Sequence, residues 1–282
     1  MVRRPGTGSE FKELTFHVAF SIFWRPRNGL PLPRKVNDAL KYHHVFLPVV
    51  TRSRSPVTEC DFNFHKSNST YLTDLDASRA HLSGLFFAPI FQKTTGSVRC
   101  NLIVSAVACT FRREIKPFQP YELWTKVASW DDKWIYMVPH FVDRSKFRPG
   151  CSVMQADTSS HKEKTTKRVP PEGDQTKHVF ASAVTRMVFK RGRLTIPPER
   201  ALETCGLLSV MTIESPTEAS EMDAKIETTK LAADCPEWTR RELESYRETN
   251  IPIVRLERGW DAIHELFKGE ETVLARYGDL MW

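Results

Sequence analysis

The sequence has no apolar run long enough to cross a bilayer. Its closest approach, LTFHVAFSIFW at residues 14–24, is about half of the ~20 residues that a spanning helix needs. The opening MVRRPGTGSEFKEL has basic residues but no immediate apolar core, which argues against a secretory leader. The six cysteines (Cys60, Cys100, Cys109, Cys151, Cys205, Cys235) form no CxxC pair, and a chain of 282 residues has no need of disulfide staples. They read as reduced thiols in an intracellular, cytoplasmic protein. The histidines fall in no metal-ligand spacing, so no metal and no other cofactor is expected. The absence of a GxSxG elbow removes the serine-nucleophile chemistry of the α/β-hydrolases.

Long blocks of one charge are also missing, although the formal charge is +7. The excess is peripheral: residues 1–52 carry +6, residues 145–177 carry +3, and the remainder is −2. With no zinc-knuckle, RNP-type or helix-turn-helix signature beside the basic stretches, nucleic acid is not an expected partner. A solvated basic surface suits acidic partners instead.

What is present is material for a core, 40% hydrophobic and 11% aromatic. Residues 1–39 read as an N-terminal apolar segment followed by a proline-rich basic connector. Segment 14–24 either packs on the domain or lies on a membrane surface as a peripheral contact. Residues 40–205 read as one domain, with 145–177 a polar, aperiodic insertion, and 206–282 as a charged extension of helical period. Within the domain, residues 97–115, 121–132, 133–142 and 178–192 are rich in Val, Ile, Phe and Trp and read as long strands. Asp131-Asp132-Lys133 marks a hairpin turn between two of them.

Ahead of those strands lies VTECDFNFHKSNSTYLTDLDASRAHLSG, residues 57–84. Tyr71, Leu72, Leu75, Leu82 and Leu85 fall on one helical stripe, with Asn68 or Ser69 as N-cap and Gly84 near the C-terminus, which predicts a helix of roughly four turns. A loop carrying Asp61, His65 and Asn68 feeds that helix. A carboxylate such as Asp61 can activate water or attack a carbonyl carbon directly, and free N–H groups at a helix start can hold an oxyanion. Plainer roles compete: Asp61 as a turn cap, His65 as a loop-fixing hydrogen-bond partner, Asn68 as an N-cap, Tyr71 as core, and Asp76 paired with Arg79 at i, i+3.

The series Glu59, Asp61, His65, Asn68, Tyr71, Asp76 and Arg79, followed by four long strands, resembles the thioesterase-like branch of the hotdog superfamily. Ser67 stands where the family's first asparagine would be, and Phe64 where many bacterial members have glycine. The stretches FRREIKPFQPYELWTKVASWDDKWIYMVPHFV and FKRGRLTIPPERAL, and the closing WDAIHELFKGEETVLARYGDLMW, resemble fungal thioesterase-like proteins of secondary-metabolite biosynthesis. The resemblance implies an α+β hotdog fold, a long central helix wrapped by a curved antiparallel sheet. It also implies hydrolysis or offloading of an acyl group from coenzyme A or an acyl-carrier protein, with a polyketide or peptide synthase as a partner, in a homodimer. Asp61 is then the base or nucleophile, Asp76 the reserve carboxylate, and His65, Asn68 and Tyr71 the substrate-binding residues. A hotdog lyase or isomerase and a non-catalytic acyl-binding protein are the other readings left open.

Overall fold

The computed structural model describes residues 44–92, 99–147, 151–152, 175–208, 240–269 and 272–277. The 14–24 segment and most of the 145–177 insertion lie outside the described residues.

Helix α1, Asn68–Gln92, is the axis of the domain. It is longer than its apolar stripe suggests. Gly84 does not end it, because that residue is buried mid-helix where packing outweighs its low helix propensity, and Pro89 falls only in the last turn. From Asp74 onward α1 is buried nearly all round, with Leu75, Leu82, Phe86, Phe87 and Ile90 in the core. Leu72 is the exception on the expected stripe: it is 47% exposed.

The sheet that wraps α1 is built from β1 (Val49–Arg54), β2 (Cys100–Phe111), β3 (Pro120–Trp130), β4 (Ile135–Asp143) and β6 (Val179–Arg191). Between the last two lies β5 (Cys151–Ser152), and β7 (Leu194–Ile196) folds back antiparallel on β6. Near the C-terminus come β8 (Thr272–Val273) and β9 (Ala275–Tyr277), β8 pairing with β5. The order is β2-β6-β4-β3-β1-β9. Every pairing on this path is antiparallel except the last, where β9 runs parallel to β1. This is the hotdog arrangement. Its β3–β4 hairpin closes where Asp131 marks the turn, the carboxylate Oδ1 accepting from the N–H groups of Lys133 at 2.9 Å and Trp134 at 2.7 Å.

The C-terminal part is not helical throughout. Helices α3 (Arg240–Val254) and α4 (Gly259–Glu265) give way to β8 and β9, because Thr272, Val273 and Tyr277 suit an extended edge better than another turn. A short α2 (Pro198–Thr204) precedes them and packs Ala201 and Leu202 into the core beside α1. Helices α3 and α4 cover the sheet face opposite α1. Strand β3 is therefore buried on both sides: Tyr121 and Leu123 pack with Tyr71 and Leu75, while Trp124 packs with Phe147 and Phe267 and Ala128 with Val254. Polar contacts fix the outer layer. Lys126 Nζ donates to the Leu266 carbonyl at 2.9 Å, Asn250 Nδ2 to that of Ala128 at 3.1 Å, and Ser129 Oγ to that of Arg247 at 2.7 Å.

Behind α4, Ser182 Oγ bridges two buried imidazoles, His140 Nδ1 at 2.8 Å and His264 Nδ1 at 2.7 Å. Burial holds both below the ordinary histidine range, with Lys126 and His264 adding to the effect at His140 and Arg112 at His264, which falls to about 4. A histidine whose folded pKa is depressed leaves the unfolded chain binding more protons, so its contribution to stability is complete above about pH 6.5 and is lost as pH falls toward 4. The melting temperature should accordingly drop between pH 6.5 and 4, and His264→Gln, although less stable at pH 7, should flatten that slope. Thermal melts across the pH series check both.

Candidate functional site

The loop that enters α1 is a tight hairpin. Cys60 and Lys66 form an isolated antiparallel bridge, the Asp61 N–H donates to the His65 carbonyl at 2.9 Å, and the Ser67 N–H donates to the Glu59 carbonyl at 2.8 Å. Within it, Asp61 Oδ1 accepts from the Asn63 N–H at 2.9 Å and lies 3.5 Å from His65 Nδ1. The other imidazole nitrogen of His65 lies 3.7 Å from Glu114 Oε2. Asp61 Oδ2 has no hydrogen-bond partner among the described residues. One carboxylate oxygen is therefore held and the other is available, in a side chain about 30% exposed.

The base of this loop rests on an ion cluster that sequence reading missed. Lys66 Nζ, fully buried, lies 2.5 Å from Glu59 Oε2 and 3.1 Å from Asp74 Oδ2. The Tyr121 hydroxyl donates to Asp74 Oδ2 at 2.5 Å. Burial pushes the Asp74 carboxyl above its ordinary range, while Lys66 and the Tyr121 hydroxyl pull it back. Burial also raises the Tyr121 phenol, reinforced by Asp74, so it remains a neutral donor. The ammonium sits 5.6 Å from the Tyr71 ring centroid and 5.5 Å from that of Tyr121, on faces that favour a cation. One signal was available: Asp74 is a carboxylate three residues after Tyr71, on the buried side of the helix. Lys66 carried none, being one polar residue among many in a loop.

The remaining expected residues divide. Asn68 is the first residue of α1 and is exposed, and it is the Ser67 carbonyl that accepts the Thr70 N–H, at 3.0 Å. The amides of Asn68 and Ser69 have no backbone partner among the described residues. Tyr71 is core: its ring meets Phe111 at 4.9 Å and Phe141 at 4.8 Å between centroids. Asp76 is separated from the loop pair in environment, 63% exposed and ion-paired with Arg79 on its own helix. Arg79 is buried and donates to Thr185 Oγ1 at 3.0 Å. Cys109, packed near Tyr71, is no nucleophile, since burial pushes its thiol up to about 12.

Phe64 has φ 58°, the left-handed region that glycine adopts freely. Phe64→Gly should therefore raise stability by ~0.5–1 kcal/mol, after allowing for the entropy of glycine in the unfolded chain. Lys66→Met leaves Glu59 and Asp74 without their cation and should cost ~3–5 kcal/mol. Urea unfolding of the two variants beside the parent protein measures both changes.

Comparison with known proteins bears on this loop and the sheet together. The family model of the thioesterase-like superfamily matches residues 55–199. The thioesterase poxG of Penicillium oxalicum (strain 114-2 / CGMCC 5302) is 36% identical over 245 residues, covering 82% of this chain and 74% of that protein. The probable thioesterase atnL of Emericella nidulans is 32% identical over 276 residues, covering 92% and 82%. The thioesterase lcsJ of Purpureocillium lilacinum is 28% identical over 245 residues, covering 79% and 70%.

Proposed function

The chain belongs to the thioesterase-like superfamily and is an acyl thioester hydrolase, and from that premise we propose that Asp61 is its general base, acting on an acyl group carried by coenzyme A or an acyl-carrier protein. The observation that carries this reading is the Asp61 carboxylate, fixed through Oδ1 by the Asn63 N–H and His65 and free at Oδ2, on the loop that enters the N-terminus of a 25-residue helix. A water held by Oδ2 loses its proton to the carboxylate as its oxygen attacks the thioester carbon. The oxyanion so formed is stabilised by the unpaired amides of Asn68 and Ser69 and by the positive end of the helix dipole. Collapse of the tetrahedral intermediate breaks the C–S bond, and the proton taken by Asp61 passes to the leaving thiolate. His65 holds Asp61 in place. Tyr71, packed against Phe111 and Phe141, holds the start of the helix in place beneath the acyl group.

The same reading takes the substrate from secondary-metabolite biosynthesis, offloaded from a polyketide or peptide synthase, as the resemblance of the sequence to fungal thioesterase-like proteins implies, and the relatives of fungal origin are themselves thioesterases. A homodimer through β2 is part of the same reading. That strand ends the sheet, runs twelve residues and leaves Ile103 48% and Val104 39% exposed, an open edge of the kind that pairs with another copy. No helix among the described residues is long and apolar enough to cross a membrane.

The test is thiol release from acyl-CoA thioesters of increasing chain length. Asp61→Asn should lower kcat by about 10²- to 10⁴-fold with the fold intact. Asp76→Asn is the control on the reserve carboxylate, whose ion pair with Arg79 predicts a much smaller loss. Full activity of folded Asp61→Asn would remove Asp61 from the mechanism, and a loss confined to Asp76→Asn would move the base onto the helix.

A further inference from the structure

Two phenylalanines occupy left-handed backbone conformations, Phe64 at φ 58° and Phe118 at φ 59°. Both project into solvent, 74% and 65% exposed. A glycine would adopt either conformation without steric cost, so each ring is kept at a local penalty that the fold does not return through burial. Their loops are neighbours. The Lys66 N–H donates to the Ile115 carbonyl at 2.9 Å, the Phe118 N–H to the Ser55 carbonyl at 2.7 Å, and His65 reaches Glu114. The same end of the molecule exposes Phe62 at 89% and Val57 at 52%. Arg54, Arg112, Arg113 and Lys116 are exposed around them, against the carboxylates of Asp61 and Glu114 beside His65.

We propose that these two loops form a membrane-surface contact, in which Phe62, Phe64 and Phe118 enter the boundary of a bilayer that contains anionic lipid and the flanking cations meet its headgroups. Side chains this exposed are projecting tips, flanked by cations rather than by an apolar rim. A lipid surface makes no demand for complementary relief: it accepts projecting apolar tips and rewards basic residues beside them. The contact would bring the Asp61 loop to acyl chains that partition into the bilayer. That benefit rests on the thioesterase reading, whereas the binding does not.

The full chain is co-sedimented with vesicles of phosphatidylcholine alone and of phosphatidylcholine with about one-third phosphatidylserine, a composition that gives the surface a negative potential. Binding should favour the anionic vesicles and weaken with salt. The triple variant Phe62→Ser, Phe64→Gly, Phe118→Gly should partition at least ~10-fold less, while melting no lower than the parent, because glycine relieves the backbone at two of the three sites. The proposal is overturned by three results: no binding of the parent to either vesicle, equal binding by the variant, or a variant whose solution mass differs from the parent's, which would place the rings between two copies of the chain. Thiol release from soluble acyl-CoA without vesicles reads the catalytic proposal separately.

Discussion

A polar side chain on a helix buried nearly all round is stable only where it finds a partner, and of the five that α1 carries into the core, all but Ser83 meet the sheet. Asp74 accepts from Tyr121, Ser78 lies 2.6 Å from Thr125, Arg79 donates to Thr185, and His81 lies 3.3 Å from Thr51. These contacts reach β3, β6 and β1, so they fix the rotation of the helix as well as its depth. Apolar packing alone tolerates sliding of a uniformly hydrophobic cylinder; four polar contacts with distinct partners do not. The placement of the loop follows, because α1 starts one residue after Ser67 and Asp74 lies two turns further on, held by the same ammonium that grips Glu59.

The loop itself is a small rigid body on that frame. Its two ends are tied by the Cys60–Lys66 bridge, its interior by the Asp61 N–H and Asn63 N–H bonds, and its base by an ion cluster around the buried Lys66. Such rigidity is costly where Phe64 takes a left-handed conformation, yet it is what a fixed carboxylate requires: a base that wanders by an ångström loses much of its advantage. The arrangement divides two tasks. Lys66 anchors the loop from beneath, and Asp61 is left with an unengaged oxygen above.

Much of this was legible in the sequence and some was not, for identifiable reasons. The long strands announced themselves through β-branched and aromatic runs, and Asp131 marked the hairpin because an Asx side chain satisfies the amides two and three residues on. The spacing of Asp61, His65 and Tyr71 located the loop. The end of α1 was misread because glycine is a helix stop only where the chain can leave, and at Gly84 neighbours on all sides keep it in place. The extended segments at 272–277 were hidden because they follow a charged stretch of helical period, and pairing with the distant β5 and with the edge of β1 makes them strands. The Lys66 cluster was invisible because its members are separated in sequence by up to 62 positions, from Glu59 to Tyr121, and nothing local to any of them reports the meeting.

The layer formed by α3 and α4 explains the oddest feature of the strand sequences. PYELWTKVASW places Glu122 and Lys126 in a strand whose every other residue after Pro120 is buried as well, a pattern that an antiparallel sheet with one wet face would not produce. Both charges are buried because that face is covered, and each is answered: Glu122 by Arg52 at 3.3 Å and by the Trp124 indole N–H at 3.2 Å, Lys126 by the carbonyl of Leu266. A charge in such a position is tolerable only with its partners in place. The polar residues of β3 therefore require the C-terminal layer as much as that layer requires the apolar ones, and the sheet that wraps α1 is the middle of three layers, with specificity written on both of its faces.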